Sequence, residues 1–374
     1  MKIVFVCGSL QPGHDGVGDY TRRLAAEMLI QGHEVAIIAL NDAKLDTKLE
    51  SIQRSENIDL PVLRLPTAWP NKLRFNIAKE WVDKFNPEWI SLQFVIFSFH
   101  PKGLPVGIIG FLAVLGKSRR WHIMFHELWV GMPVGASRKH IFWGWLQQKI
   151  ISWLILRLKP KVIHTQSMLY FAQLTRLGFK VNHLPLFSNV PVVTNFKSKS
   201  IKKANEIKHI SIVVFGTIHP QAPVEQIVNE VILYKKATKS EVSLTIIGRS
   251  GIEQEHWVSV WKSAGICVNV LGEQPLAYIS KVLGEATIGL STSALAMIDK
   301  SGTVAAMLAH KLPVICVANP WKPRRVILPT PPKGIFELQK GCIENCLEMK
   351  RDKIFSHEVS NITRTLIKTL LAQQ

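Results

Sequence analysis

Acidic residues are scarce in this chain. Twenty-seven Asp and Glu stand against 46 Lys and Arg in 374 residues, a formal net charge of +19. So one-sided a balance suits anionic partners: nucleic acid, an anionic membrane surface or phosphorylated small molecules. The basic residues are spread along the chain without a zinc-finger spacing or another nucleic-acid motif, so nucleic acid is set aside. Cysteine is also sparse. Cys7, Cys267, Cys316, Cys342 and Cys346 are scattered and odd in number. Cys7 and Cys316 lie in apolar runs, where a thiol acts as a small hydrophobe. Cys342 and Cys346 stand four apart without the further ligands a metal site needs, so a reducing cytoplasmic setting is the simplest reading. Long apolar runs are missing as well. The opening Met1-Lys-Ile-Val-Phe-Val-Cys-Gly8 is too short for a signal peptide. The uncharged stretch 103–116 is too short for a membrane span and contains Pro105.

What the chain does have is a 47% hydrophobic content and length enough for two domains. Buried strand patterns at 3–7, within 32–40 after a turn, and at 89–93, 122–126, 162–165 and 183–186 alternate with helical ones such as 17–31. That order implies an α/β fold with a parallel sheet covered on both faces. Residues 195–208 carry Lys197, Lys199, Lys202, Lys203 and Lys208 against Glu206 alone, and read as a linker. Alternation then restarts, with strands at 210–215, 243–247, 267–271, 287–290 and 313–317 and a helix at 223–238. The expected domains are therefore 1–194 and 209–350, followed by a carboxyl-terminal segment 351–374 whose helix packs back across them. Residues 71–75 and 98–103 read as loops. The segment 138–161, rich in Trp and aliphatics with basic ends, is either a buried helix of the α/β domain or one that lies in a bilayer interface.

Three places suggest chemistry. Lys300-Ser-Gly-Thr303 opens a short helix before a buried strand, so its backbone N–H groups and Lys300 form a candidate phosphate cradle. Gly16 and Gly18 follow the first strand, where a missing side chain would admit a diphosphate to the backbone. A dinucleotide fingerprint fits this loop less well, because position 21 is Thr21; Asp42 nonetheless stands where a ribose-binding acid would. His126 ends the strand 122–126, suited to hydrogen-bond a sugar hydroxyl or steady charge at a reacting centre, with Glu127 beside it; His122 reads as structural.

Four segments in order resemble glycosyltransferase family 4. They are Gly13-His-Asp-Gly-Val-Gly-Asp-Tyr-Thr-Arg-Arg-Leu24 with Gln31-Gly-His-Glu-Val35, Phe125-His-Glu-Leu-Trp-Val-Gly131, Leu184-Pro-Leu-Phe-Ser-Asn-Val-Pro191, and residues 300–315. The resemblance spans most of the chain. It implies a GT-B fold, two Rossmann-like domains whose parallel sheets face each other across a cleft. It also implies transfer of a sugar, with retention, from a nucleotide-diphosphate sugar to a glycan or lipid-linked acceptor in cell-envelope polysaccharide or glycolipid synthesis. His126 and Lys300 would then be catalytic, with the donor diphosphate between Gly16 and the Lys300–Thr303 helix start. His100 and Glu127 would lie on the acceptor side.

The chain departs from the family where many members carry two glutamates eight apart, since Ile298 and Ala306 stand there. The loop Phe215-Gly-Thr-Ile-His-Pro-Gln221 also lacks the family's Arg and Lys. Lys300 or Arg249 would supply the missing charge, with Thr217, His219, Ser301, Gly302 and Thr303 as further donor contacts. No Asp-x-Asp motif occurs, so neither a metal nor a cofactor beyond the sugar nucleotide is expected. The expected location is the cytoplasm, peripherally on the inner face of the cell membrane. Two other classes stay open: a non-catalytic sugar-nucleotide or glycan-binding relative, and an NAD-dependent oxidoreductase.

Overall fold

Apolar runs flanked by amphipathic helices fold into two sheets, one parallel and one parallel but for an edge strand, in the computed structural model, which describes residues 1–193 and 209–373. The linker expected at 195–208 lies outside the described residues. Compactness divides the chain into two units. One comprises Met1–Pro185, Pro323–Leu328 and the residues from Val359 onward; the other comprises Leu186–Lys322 and Pro329–Glu358. Residues 186–193, read from the sequence as the end of the first domain, are thus grouped with the second.

The first unit runs β1 (Lys2–Cys7), α1 (Gly16–Ile30), β2 (Glu34–Asp42), β3 (Leu49–Ser55), β4 (Ile58–Pro66), α2 (Asn71–Phe85), β5 (Trp89–Phe94), α3 (Val106–Leu115), β6 (Arg120–Phe125), α4 (Arg138–Leu158), β7 (Val162–Thr165), α5 (Met168–Arg176) and β8 (Asn182–His183). Its sheet order is β3-β4-β2-β1-β5-β6-β7-β8, with β3 antiparallel to β4 and the other pairs parallel. All six residues of β5 are buried, as a strand covered on both faces requires.

The second unit runs β9 (His209–Phe215), α6 (Val224–Thr238), β10 (Glu241–Ile247), α7 (Gln254–Ser263), β11 (Cys267–Gly272), α8 (Leu276–Glu285), β12 (Ile288–Ser291), α9 (Gly302–Ala309), β13 (Val314–Cys316), β14 (Ile335–Glu337) and α10 (Cys342–Leu347). Its parallel sheet has the order β11-β10-β9-β12-β13-β14. Its core joins Ile212, Leu244 and Ile288 of the sheet to Trp257 and Trp261 of α7. Each such side chain contributes roughly 1.5–3 kcal/mol by leaving water.

Some expectations need correction. Residues 71–75 begin helix α2 instead of forming a loop. Pro70 sits at its N-cap, and Phe75, Ala78 and Val82 recur on one buried face. The hairpin β3–β4 is absent from the sequence reading because its turn, Glu56-Asn57, lacks glycine although both residues take positive φ. The strand expected at 183–186 is only the pair Asn182–His183. The final helix, α11 (Val359–Leu371), lies in the first unit, where it packs on α1 and buries Ile362, Leu366 and Leu370. Gln31 Nε2 of α1 donates to Ser360 O at 3.2 Å.

Candidate functional site

In an open parallel sheet the strand order reverses at one point, and ligands bind there at the carboxyl ends of the strands. In the second unit the reversal falls between β9 and β12. A cavity of about 390 Å3 opens there, lined by the loop His219–Ala222 after β9, by Thr292, Ser293, Met297, Lys300 and Ser301 after β12, and by Asn319 after β13. Side chains stitch the loops together. The His219 N–H donates to Thr292 Oγ1 (2.9 Å), and that hydroxyl donates to Thr217 O (3.1 Å). Asn319 Nδ2 donates to Gln221 O at 2.9 Å.

The α9 helix begins at this cavity. Ser301 holds its N-cap position, yet the hydroxyl caps no backbone N–H. Ser293 Oγ donates to Ser301 Oγ (3.3 Å), and Ser301 Oγ lies 3.1 Å from Thr303 Oγ1. The first turn therefore keeps its N–H groups and positive dipole end without a side-chain acceptor from the cap residue, beside the Lys300 that lines the cavity. Glycine is required opposite. Gly216 has φ +80°, and a Cβ there would stand 2.8 Å from Thr303 Cγ2.

Of the residues expected to bind a donor, Lys300, Ser301 and His219 line this cavity. Thr303 and Gly302 are in the first turn of α9, and Thr217 is tied to the same loops. Arg249 follows β10 and pairs through Nε with Glu273 Oε2 at 3.1 Å, both side chains well exposed. Thr292, Ser293 and Asn319 were missed by sequence reasoning. Their only signal is that each closely follows the end of a buried strand.

Ile298 and Ala306, where a family 4 comparison looks for acids, are buried in the apolar core with Val304, Met307 and Leu312. An ionised carboxylate at either place would meet no solvent.

The first unit holds the remaining candidates. His126 is 5% exposed at the end of β6. Gln93 Nε2 donates to Ser91 Oγ (2.8 Å), which turns Gln93 Oε1 toward His126 Nε2 at 2.8 Å. The ring therefore donates from Nε2. Gln166 Oε1 lies 3.2 Å from Nδ1, and Tyr20 packs edge-on at 5.1 Å. Gln93 and Gln166, at the ends of β5 and β7 on either side of β6, are partners the sequence reading did not name. The same ladder continues inward, since Ser91 Oγ lies 2.7 Å from His122 Nδ1 and His122 Nε2 3.0 Å from His164 Nδ1. Burial, then the neighbouring histidines, holds His122 well below the ordinary histidine value; burial and His183 bring His164 down to about 4.

His100 serves its own loop, with Nδ1 accepting from the N–H groups of Lys102 (3.2 Å) and Leu104 (3.3 Å). Glu127 follows His126, with its N–H directed at Phe94 O at 3.5 Å.

Gly16 and Gly18 sit inside the first turn of α1, not in a loop before it. Asp15 caps the helix, accepting from the Val17 N–H at 2.9 Å. An anion thus already occupies this N-terminus, and a diphosphate would have to displace it. Burial raises the Asp15 carboxyl above its ordinary value, against the lowering effect of the Val17 and Gly18 N–H groups. A Cβ on Gly18 would stand 3.0 Å from Ser9 O, so its lack of a side chain serves close packing, whereas nothing lies within 4 Å of one on Gly16.

Asp42, the acid an NAD site would need, is fully buried and engaged. Arg64 Nε donates to Oδ2 at 2.8 Å, and the N–H groups of Leu10 and Lys44 donate to the same carboxylate at 3.2 and 3.0 Å. No ribose can reach it, which removes the main support for an NAD site.

No protein-family model matches the chain, and no curated protein does either. Solved structures do. Anabaena HepE in complex with UDP and glucose is 13% identical with a TM-score of 0.60, and the match covers 100% of both chains. The apo lipopolysaccharide outer core galactosyltransferase WaaB is 14% identical at 0.56, again over 100% of both chains. A UDP-GlcNAc 2-epimerase from Neisseria meningitidis, bound to UDP-GlcNAc, is 12% identical at 0.60 over the same full coverage. Identities this low speak for architecture alone, and the architecture is GT-B: two Rossmann-like α/β units, each on a parallel sheet.

Proposed function

We propose that this chain is a glycosyltransferase that moves a hexose from a nucleotide-diphosphate sugar to a glycan or lipid-linked acceptor. The observation that carries the reading is the cavity at the β9/β12 switch point, where Lys300 and the uncapped first turn of α9 meet. A leaving diphosphate gains most from preorganised positive charge and N–H donors, and this corner provides both. Stabilisation by Lys300 and the α9 dipole makes the proposed transfer metal-independent. Retention of configuration, with a leaving-phosphate oxygen taking the acceptor proton, is the stereochemical part of the proposal. Cell-envelope polysaccharide or glycolipid synthesis is its proposed setting, on the cytoplasmic side. HepE and WaaB support it as fold neighbours named for UDP-glucose complexes and galactosyl transfer, respectively. The epimerase has the same fold, so the choice of transfer rests on the site.

Thermal shift against UDP, ADP, GDP and their sugars tests the donor. Ligand at about 100 times its Kd stabilises the native state by roughly 2.7 kcal/mol. Lys300→Ala should weaken that shift and lower turnover at least tenfold; unchanged turnover would remove Lys300 from the mechanism. A second reading, a binder without turnover, is favoured by the apolar Ile298 and Ala306. It predicts a donor-induced shift with no sugar transferred to any acceptor.

A further inference from the structure

Helix α4 turns a stripe of large apolar side chains outward. Its buried face, Gly144, Gln147, Ile151, Leu154, Ile155 and Leu158, fixes it to the first unit. Gly144 lies so close to the loop before the helix that a Cβ would stand 2.0 Å from Val130 O. On the opposite face, Phe142, Trp145, Trp153 and Leu156 are each 45–65% exposed, and Lys149 is exposed between them. The spacing of three, four, four and three residues along 142–145–149–153–156 places them in one line along the helix. A surface helix ordinarily shows the reverse pattern.

Charge has one sign here. Helix α4 contains Arg138, Lys139, Lys149 and Arg157 and no acidic residue, and Lys159 and Lys161 follow it. Between Glu88 and Glu206 the only acidic residue in the sequence is Glu127. Helix α3, which packs on α4, has no charged residue and exposes Val106 and Val114. The two helices are bound to the same loop, since Trp143 Nε1 of α4 donates to Lys102 O just before α3 at 2.8 Å. No helix among the described residues is long and apolar enough to cross a membrane.

We infer that the outer face of α4 docks the first unit on an anionic lipid bilayer, lying in the headgroup plane. Trp145 and Trp153 enter the interface, where indole is favoured, and Lys149 and Arg157 meet lipid phosphates. A protein partner or a second copy would cover the apolar stripe equally well. The uniform positive charge favours a uniformly negative sheet of headgroups, and two copies would bring like charges together. The inference stands on this helix and does not depend on the transfer reaction.

The test is sedimentation of the full chain with vesicles of phosphatidylcholine alone and of phosphatidylcholine and phosphatidylglycerol in equal parts. No nucleotide is present, so the outcome is separate from that of the transferase proposal. The expected result is binding to the anionic vesicles only, weakened by salt. Trp145→Ser with Trp153→Ser should lower it roughly tenfold or more, since each loses a large interfacial side chain. Lys149→Glu with Arg157→Glu should do likewise while leaving the aromatic stripe intact. Circular dichroism checks that each variant folds, and these half-exposed positions permit it. Equal binding to both vesicle types, no binding to either, or variants that bind like the parent would overturn the inference. So would a dimer in solution that the double Trp variant dissociates, which would make the stripe a self-association face.

Discussion

Gly216 offers a test of how the α9 cradle is built. Its φ of +80° lies in the left-handed region, where a β-carbon costs roughly 1–2 kcal/mol. The same Cβ would stand 2.8 Å from Thr303 Cγ2, so the first turn of α9 must shift by more than about half an ångström to restore ordinary contact. Overpacking of that kind adds roughly 1–3 kcal/mol. Gly216→Ala should therefore destabilise the second unit by about 2–5 kcal/mol and displace the proposed phosphate cradle. Thr303→Ala alone should cost under about 1 kcal/mol, because it removes one methyl and a hydroxyl whose partner is the Ser301 hydroxyl 3.1 Å away. In the double variant the methyl contact disappears and only backbone strain remains. The pair should then be coupled, with the double variant more stable than the summed single costs by roughly 1–2 kcal/mol. Hydrogen exchange across a urea series, read on peptides from β9 and α9, isolates this unit from the rest of the chain. Additive costs would refute the contact as the source of the constraint. Coupling without loss of nucleotide binding in Gly216→Ala would instead separate the packing from the cradle.

Three further outcomes follow from the buried polar groups of the first unit. The folded His164 value, about 4, lies below the ordinary 6.5, so the unfolded chain binds more protons between them. Stability should rise with pH across that interval by roughly 3 kcal/mol, and denaturation midpoints from pH 4 to 7 should flatten in His164→Asn. For Asp42, burial alone would raise the carboxyl, but the hydrogen bonds from Arg64 and from the Lys44 and Leu10 N–H groups outweigh it and hold it below its ordinary value. Its contribution is present above the unfolded value and lost as pH falls through the folded one. Asp42→Asn, which strands the Arg64 charge, should cost roughly 3 kcal/mol in urea unfolding at neutral pH; a cost near zero would mean that Arg64 is satisfied by Gln11. Gln93→Leu removes the acceptor of His126 Nε2 and should cost roughly 1–3 kcal/mol by the same assay, with a neutral result showing the ring satisfied elsewhere.

Much of the architecture was legible along the chain. The apolar run 3–7 and the largely apolar runs 89–93 and 210–215 became β1, β5 and β9, because strands covered on both faces are dominated by apolar side chains. Lys300-Ser-Gly-Thr303 announced a helix start before a buried strand, and the structure puts Lys300 and Ser301 on the switch-point cavity. Local signals sufficed in these cases because the constraint is local. The α2 helix was missed although Phe75, Ala78 and Val82 carry its period, and the β3–β4 turn because Glu56-Asn57 looks like no common hairpin turn.

Only the tertiary structure decided the partners. Gln93 and Gln166 reach His126 from strands 33 and 40 residues away, and Arg64 reaches Asp42 across the sheet. Gly18 proved to be a packing glycine, and the α1 N-terminus already held Asp15. Periodicity also says that a helix such as α4 has a buried face without saying which one. The sequence by itself determined where strands and helices form, since backbone bonding and burial repeat at fixed short periods. Which polar groups meet, and which apolar stripe is left facing outward, depends on contacts between distant segments, and these exist only once the sheets have assembled.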